Sequence, residues 1–162
     1  MNTASMLEQL QGAAVSALSA DPMFSGNMSA NGAAIPIILE RKNDIITQIE
    51  TALGQVGICA LVMTPLFEFF QQYDRDLSGW ALLMVSVFED VSVNQSPAGT
   101  GIRAIALAQE VLAVLHHQPT GLPIGPAGKP AAFIGVPRPF ELTNEGPPLQ
   151  YSVSFQAHVL LP

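Results

Sequence analysis

A single cysteine, Cys59, stands among 162 residues, so the chain can form no internal disulfide. It sits in the apolar run Ile58-Cys-Ala-Leu-Val-Met63 and reads as a small buried hydrophobe, not a reactive thiol. Cations are almost as scarce: six Lys and Arg stand against thirteen acidic residues, and Arg41-Lys42 is the only adjacent basic pair. Gripping nucleic acid through its phosphates takes clustered Lys and Arg, so that class of function is excluded. Charge of either sign is sparse, at 12% of residues, where a soluble domain carries roughly a quarter. No run of 18 or more uncharged apolar residues exists to span a membrane, and the N-terminus lacks the basic and unbroken apolar regions of a signal peptide. These absences predict a chain kept in a reducing cytoplasm, or in a particle assembled there.

What the chain has is apolar surface. Apolar residues make up 49% and mean hydropathy is +0.35. The length suits one domain over residues 1–162 with a substantial core. A chain with this little charge hides surface in permanent contacts, which resemble a core cut in half; the plain alternative is an Ala- and Val-rich small domain. The net charge of −7 also suits the wall of a channel that repels phosphates and lets DNA slide past.

Periodicity gives the elements. Leu7, Leu10, Ala14 and Leu18 predict an amphipathic helix over 4–18, broken by Asp21-Pro22. Residues 25–34 read as a flexible loop, 35–39 as a short extended piece, and 41–54 as a second helix ending near Gly54. Residues 58–64 form a continuous apolar run that predicts a strand buried on both faces. Residues 66–77 fit either a strand running into a protruding loop or a short helix, and 80–93 are a strand. A helix from 100 or 101 to 116 carries Ile102, Ile105, Leu112 and Leu115 on one stripe and Leu107, Val111 and Val114 on another. A helix apolar on most sides needs cover on most sides, here from a partner. The Pro- and Gly-rich stretch 118–130 is an irregular loop, and Phe133–Glu141 is an edge strand because Pro137 and Pro139 lack donors. Tyr151 to Leu161 alternates apolar and polar, the pattern of a strand with one face on a core and the other wetter. As a terminal strand it is expected in a sheet that neighbours complete or cover. The order predicts an α+β fold: a single mostly antiparallel β-sheet with helices packed on one face.

Motifs for chemistry fail on inspection. Asp74-Arg-Asp-Leu-Ser-Gly79 imitates a calcium loop, but its twelfth position is Val85, not Glu, so a solvated turn is the better reading. Gly128-Lys129 ends no phosphate loop, because Pro123 and Pro130 occupy the flanking positions. His116 and His117 point about 100° apart on a helix and cannot readily share a metal; they read as polar residues ending it. No nucleophile elbow is present. Catalytic, metal and cofactor sites are therefore not assigned. Trp80 reads as core, while Phe67, Phe69, Phe70 and Tyr73, which run into charged residues, read as a contact with another subunit.

The order of elements resembles the tail terminator proteins of tailed bacteriophages, including relatives from contractile tails. The resemblance lies in an N-terminal helix and strand, then the long strand Trp80-Ala-Leu-Leu-Met-Val-Ser-Val-Phe88, a polar loop, the amphipathic helix Gly101 to His116, and a β-hairpin ending in the Tyr151-Ser-Val-Ser-Phe155 strand. It covers most of residues 40–161 as a pattern, with the helix at 41–54 and the insert at 118–130 as departures. The resemblance implies a virion protein of the tail or neck, assembled in the host bacterial cytoplasm. Its copies form a homo-oligomeric ring, usually a hexamer, that caps the tail tube protein, ends its polymerisation and meets the head completion or connector protein. Sheath protein is a further contact in contractile tails; DNA only passes through the lumen, and no membrane is involved. The family brings no catalytic residue and no cofactor. The candidate contact residues are Phe67, Phe69, Phe70, Tyr73, Ile102, Leu107, Val111 and Val114. A head–tail connector is the neighbouring reading, and a small cytoplasmic enzyme is the reading of another class.

Overall fold

The computed structural model describes residues 3–41, 44–73, 76–122 and 131–161, and for 3–5, 69–73, 76–78, 160 and 161 the backbone alone. Helix α1 (Thr3–Ala20) turns Met6, Leu10, Ala14 and Leu18 inward at helical spacing. Pro22 follows its end, where the Asp21 carboxylate accepts a hydrogen bond from the Met23 amide at 2.9 Å. Strand β1 (Ile37–Leu39) precedes helix α2 (Ile45–Val56), which stops at Gly57. Gly57 has φ +78° and donates to the Leu53 carbonyl, and a Cβ there would run into the backbone of Asn94. Only glycine fits that close approach.

Strand β2 (Ile58–Val62) follows at once and is buried on both faces, as its apolar run predicts. Ile58, Ala60 and Val62 join the main core with α1, while Cys59 and Leu61 join a second cluster beneath Ala52 and Leu53 of α2. Strands β3 (Leu66–Tyr73) and β4 (Asp76–Glu89) come next, then the short helix α3 (Val91–Asn94) and helix α4 (Ala104–Leu115). Strands β5 (Ile134–Glu145) and β6 (Leu149–Leu161) complete a six-stranded sheet in the order β1-β2-β4-β6-β5, with β3 also on β4. Among these pairings only β1–β2 is parallel.

β2 and β3 line the same edge of β4. β2 pairs with its C-terminal half and β3 with its N-terminal half, and Pro65 stands between them. Together they make one long hairpin, which resolves the ambiguous stretch 66–77 as strand. β6 pairs with β4 along 77–89 and with β5 on its other side. The terminal strand is thus interior to the sheet over 149–156, while 157–161 pair with β4 alone; its Val153, Phe155, Ala157 and Val159 face the core as expected. β5 is the edge strand that its prolines require.

The α+β class and the mostly antiparallel sheet agree with the sequence. α1 and α4 share one face, and α2 takes the other at the β1–β2 end, because Cys59 and Leu61 give β2 an apolar second face. α4 starts at Ala104, later than its apolar pattern suggests. Residues 100–103 lie outside any helix or strand, with Gly101 at φ +74°, and the Glu89 carboxylate meets the Ala104 amide at 2.8 Å.

Candidate interaction surface

The structure scatters the residues that the sequence groups as contacts. Leu107 and Val111 are 0% exposed and lie in the protomer's own core against the sheet, so neither meets a partner. Ile102 and Val114 are half-buried against the same core. The two apolar stripes of α4 are spent on the sheet and on the flanking elements, leaving Ile105, Gln109 and Ala113 as its exposed strip. Phe67 packs against the main core from β3. The side chains of Phe69, Phe70 and Tyr73 lie outside the described residues.

Exposed apolar surface gathers instead on the sheet face away from α1 and α4. Even-numbered residues of β4 and β6 point there, and α2 covers it only at the β1–β2 end. Beyond α2, Leu66 is 67% and Met84 39% exposed. With Met63, Thr64, Leu82 and Ser154 they border a shallow depression of about 210 Å³. Trp80, expected in the core, is half-buried on this face with its ring 4.7 Å from that of His158. The odd positions of β4 hold the core, so Trp80, at an even one, is turned outward.

The buried polar groups tie elements together. Glu89, 0% exposed, accepts hydrogen bonds from Asn94 Nδ2 at 2.8 Å, Arg103 Nε at 2.9 Å and the Ala104 amide at 2.8 Å. Asn94 in turn accepts from Thr100 Oγ1 at 2.8 Å. The knot locks the end of β4 to the start of α4. Gln11, also buried, donates to the Val62 carbonyl at 2.9 Å and accepts from Arg41 Nε at 2.6 Å, which fixes α1 to the end of β2. The loop at 25–34, expected to be flexible, is pinned: the Ala30 amide donates to Thr100 O at 2.8 Å and Asn31 Nδ2 to Ala98 O at 2.7 Å.

His116 closes α4, and its Nδ1 accepts from the Gly135 amide at 3.0 Å, with the His117 ring 4.0 Å away. That is a helix-ending role, and His158 sits on the opposite side of the sheet. Burial pushes the Cys59 thiol up to about 12, far from a nucleophile's range. Asp76–Gly79 of the calcium-like motif belong to β4, while 74, 75 and the Gly128-Lys129 pair lie outside the described residues. Among the described residues no three His, Cys, Asp or Glu gather as for a metal, and no helix is long and apolar enough to cross a membrane.

Two charged features escaped the sequence reading. Arg138 is exposed on β5, between two prolines. Glu110 of α4 lies with its carboxyl against that of Asp21, just past α1. Its proton affinity is raised by desolvation first, then by the hydrogen bond with Asp21 and by the charge on it. The Pro-Arg-Pro triplet was a legible signal; the carboxyl pair, one member on α4 and the other just past α1, was not. The chain matches no protein-family model and no curated protein.

Proposed function

We propose that the protein is a structural ring subunit of a phage tail or neck, capping the tail tube and offering the surface on which the head joins. The uncovered sheet face carries this reading. Apolar side chains as exposed as Leu66 and Met84, beside half-buried Met63 and Leu82, make a patch of the kind that marks a contact surface. The low charge, the resemblance of the order of elements to that of tail terminators, and the long β3–β4 hairpin alongside that patch support the same reading.

The test is the mass of the purified protein by light scattering, with negative-stain images of the same fractions, alone and with isolated tail tubes. Rings, free or seated on tube ends, are the expected result. Rings that ignore tubes and bind filled heads would move the assignment to a connector. A monomer that ignores both would overturn it.

A further inference from the structure

The sheet ends on two strands that turn backbone groups outward, and the two edges match. Across its broadest level the strands run β1-β2-β4-β6-β5, and among the described residues no strand pairs with the outer edge of β1 or of β5. Hydrogen-bond direction alternates from residue to residue along a strand. The Ala60 amide donates to Pro36 O and the Glu40 amide to Val62 O, so even positions of β1 bond inward while Ile37 and Leu39 turn outward. The Met63 amide donates to Met84 O, so even residues of β4 bond to β2 and odd ones to β6. Odd residues of β6 then bond to β4 and even ones to β5, where Ser152 pairs with Glu141. Phe140 and Leu142, on either side of Glu141, therefore turn outward. Among the described residues, only the Leu39 carbonyl of these outward groups has a partner, the Arg41 amide at 2.8 Å.

The edges also agree in direction, level and face. β1 is parallel to β2, and three antiparallel steps follow, so β5 runs opposite to β1. One rung of the sheet runs Ile37-Ala60-Val87-Tyr151-Leu142 and another Leu39-Val62-Val85-Val153-Phe140, which puts the two edges at one level. Ile37 and Phe140 pack toward the main core, as does Tyr151 opposite Leu142, so both outward pairs stand on the α1 and α4 face. Leu142 is 43% exposed there. Glu141 turns to the other face, so no carboxylate enters this apolar strip. Neither proline nor charge guards Ile37–Leu39, and the prolines of β5 stop at Pro139. An edge without such guards accepts another strand. A hollow of about 380 Å³ between Ile37 and Ile38 on one side and Thr47 and Thr51 of α2 on the other leaves the β1 edge within reach.

We propose that β1 of one copy pairs antiparallel with β5 of a second copy, Ile37 opposite Leu142 and Leu39 opposite Phe140, so that the sheet continues from subunit to subunit. The inference rests on the ring reading above and specifies its subunit contact. Ile37 and Leu142 exchange both of their backbone bonds, and the Leu39 amide donates to Phe140 O. The two edges differ and lie at opposite ends of one sheet, so the contact is head-to-tail, the type that closes into rings when the rotation allows. Main-chain bonds hold such an added strand, and its side chains set the register.

Cross-linking tests it. Light scattering on the intact wild-type chain is read first. A copy carrying Ile37→Cys is then mixed with one carrying Leu142→Cys under mild oxidation. Facing residues of such a pair lie about 5.5 Å apart, within disulfide reach. Within one chain the two positions stand four strands, or about 19 Å, apart and cannot join. Cys59, buried beneath α2, stays out of the reaction. The expected product is a covalent dimer holding one copy of each variant. Leu142→Pro, which removes an outward amide that the protomer does not use, should weaken assembly at least about tenfold in concentration with the urea midpoint unchanged. Wild-type rings that give no mixed dimer would overturn this contact and leave the ring reading standing. Dimers of Ile37→Cys alone would overturn it too, because two β1 edges would then meet. A monomeric wild type would remove both readings.

Discussion

The ring of Phe67 on β3 fills the space above Gly79 on β4 that a side chain there would need. A Cβ at Gly79 would run first into the Glu68 backbone carbonyl and then stand 2.6 Å from Phe67 Cζ, so the glycine lets both the β3 backbone and the aromatic ring close on β4. Replacing Gly79→Ala should cost about 2 kcal/mol in urea unfolding through overpacking. Phe67→Ala should cost about 2 kcal/mol through lost burial. The double variant should cost roughly 1 kcal/mol less than their sum, because removing the ring relieves part of the clash. Strict additivity would show that the two do not compete for one space.

Cys59 gives a chemical readout of the second core. It is 0% exposed beneath α2, with its thiol pushed up to about 12 from 9.0. Three units leave about a thousandfold less thiolate at pH 8 than a free thiol supplies. A maleimide or disulfide reagent should therefore label the native protein slowly and the urea-unfolded protein at once. Rapid native labelling would mean that α2 does not hold its face of the sheet.

Glu89 should be the costliest polar position to alter. Its carboxylate accepts from Asn94, Arg103 and the first amide of α4 inside the protein. Glu89→Gln turns an amide N–H₂ toward groups that are themselves donors and removes the charge facing Arg103, at about 3 kcal/mol. Asn94→Ala should cost about 2 kcal/mol by leaving Glu89 and Thr100 short of partners. Hydrogen exchange should quicken first at residues 102–105 in both. Unchanged exchange there would show that the knot does not hold α4.

The sheet was legible because β2, β4 and β6 carry patterns that only strands satisfy. The continuous run 58–64 even announced two buried faces, which the strand shows over 58–62, although not that α2 would take the second. Surfaces were less legible. On α4 the stripe of Leu107 and Val111 has the same period whether it faces the chain's own sheet or a partner, and burial alone decides between them. Trp80 was misassigned for a related reason: a strand of continuous apolar residues hides which parity is inward until β6 pairs with it. The Asp90 cap that starts α3 is local, with Ser92 and Val93 amides on its carboxylate, but four residues of helix leave no periodic trace.

Asp90 and Glu110 should bend stability in opposite directions with pH. Asp90 is held below the usual carboxylate range, chiefly by the Ser92 hydroxyl and then by the Val93 amide. Its contribution is present above the ordinary aspartate pKa and is lost as pH falls through the lowered one. Glu110 is shifted upward by desolvation and by Asp21, so the folded chain binds that proton more tightly than the unfolded chain. Its contribution is full below the ordinary glutamate pKa and is lost as pH rises through the raised one. At neutral pH Glu110→Gln should then stabilise the monomer, by about 0.3 kcal/mol given solvent screening, and the gain should vanish in acid. Asp90→Asn should destabilise at neutral pH and converge on the wild type in acid. Urea midpoints of the three proteins from about pH 3 to 8 check both signs, and a Glu110→Gln variant less stable than the wild type at neutral pH would mean that the two carboxyls do not repel.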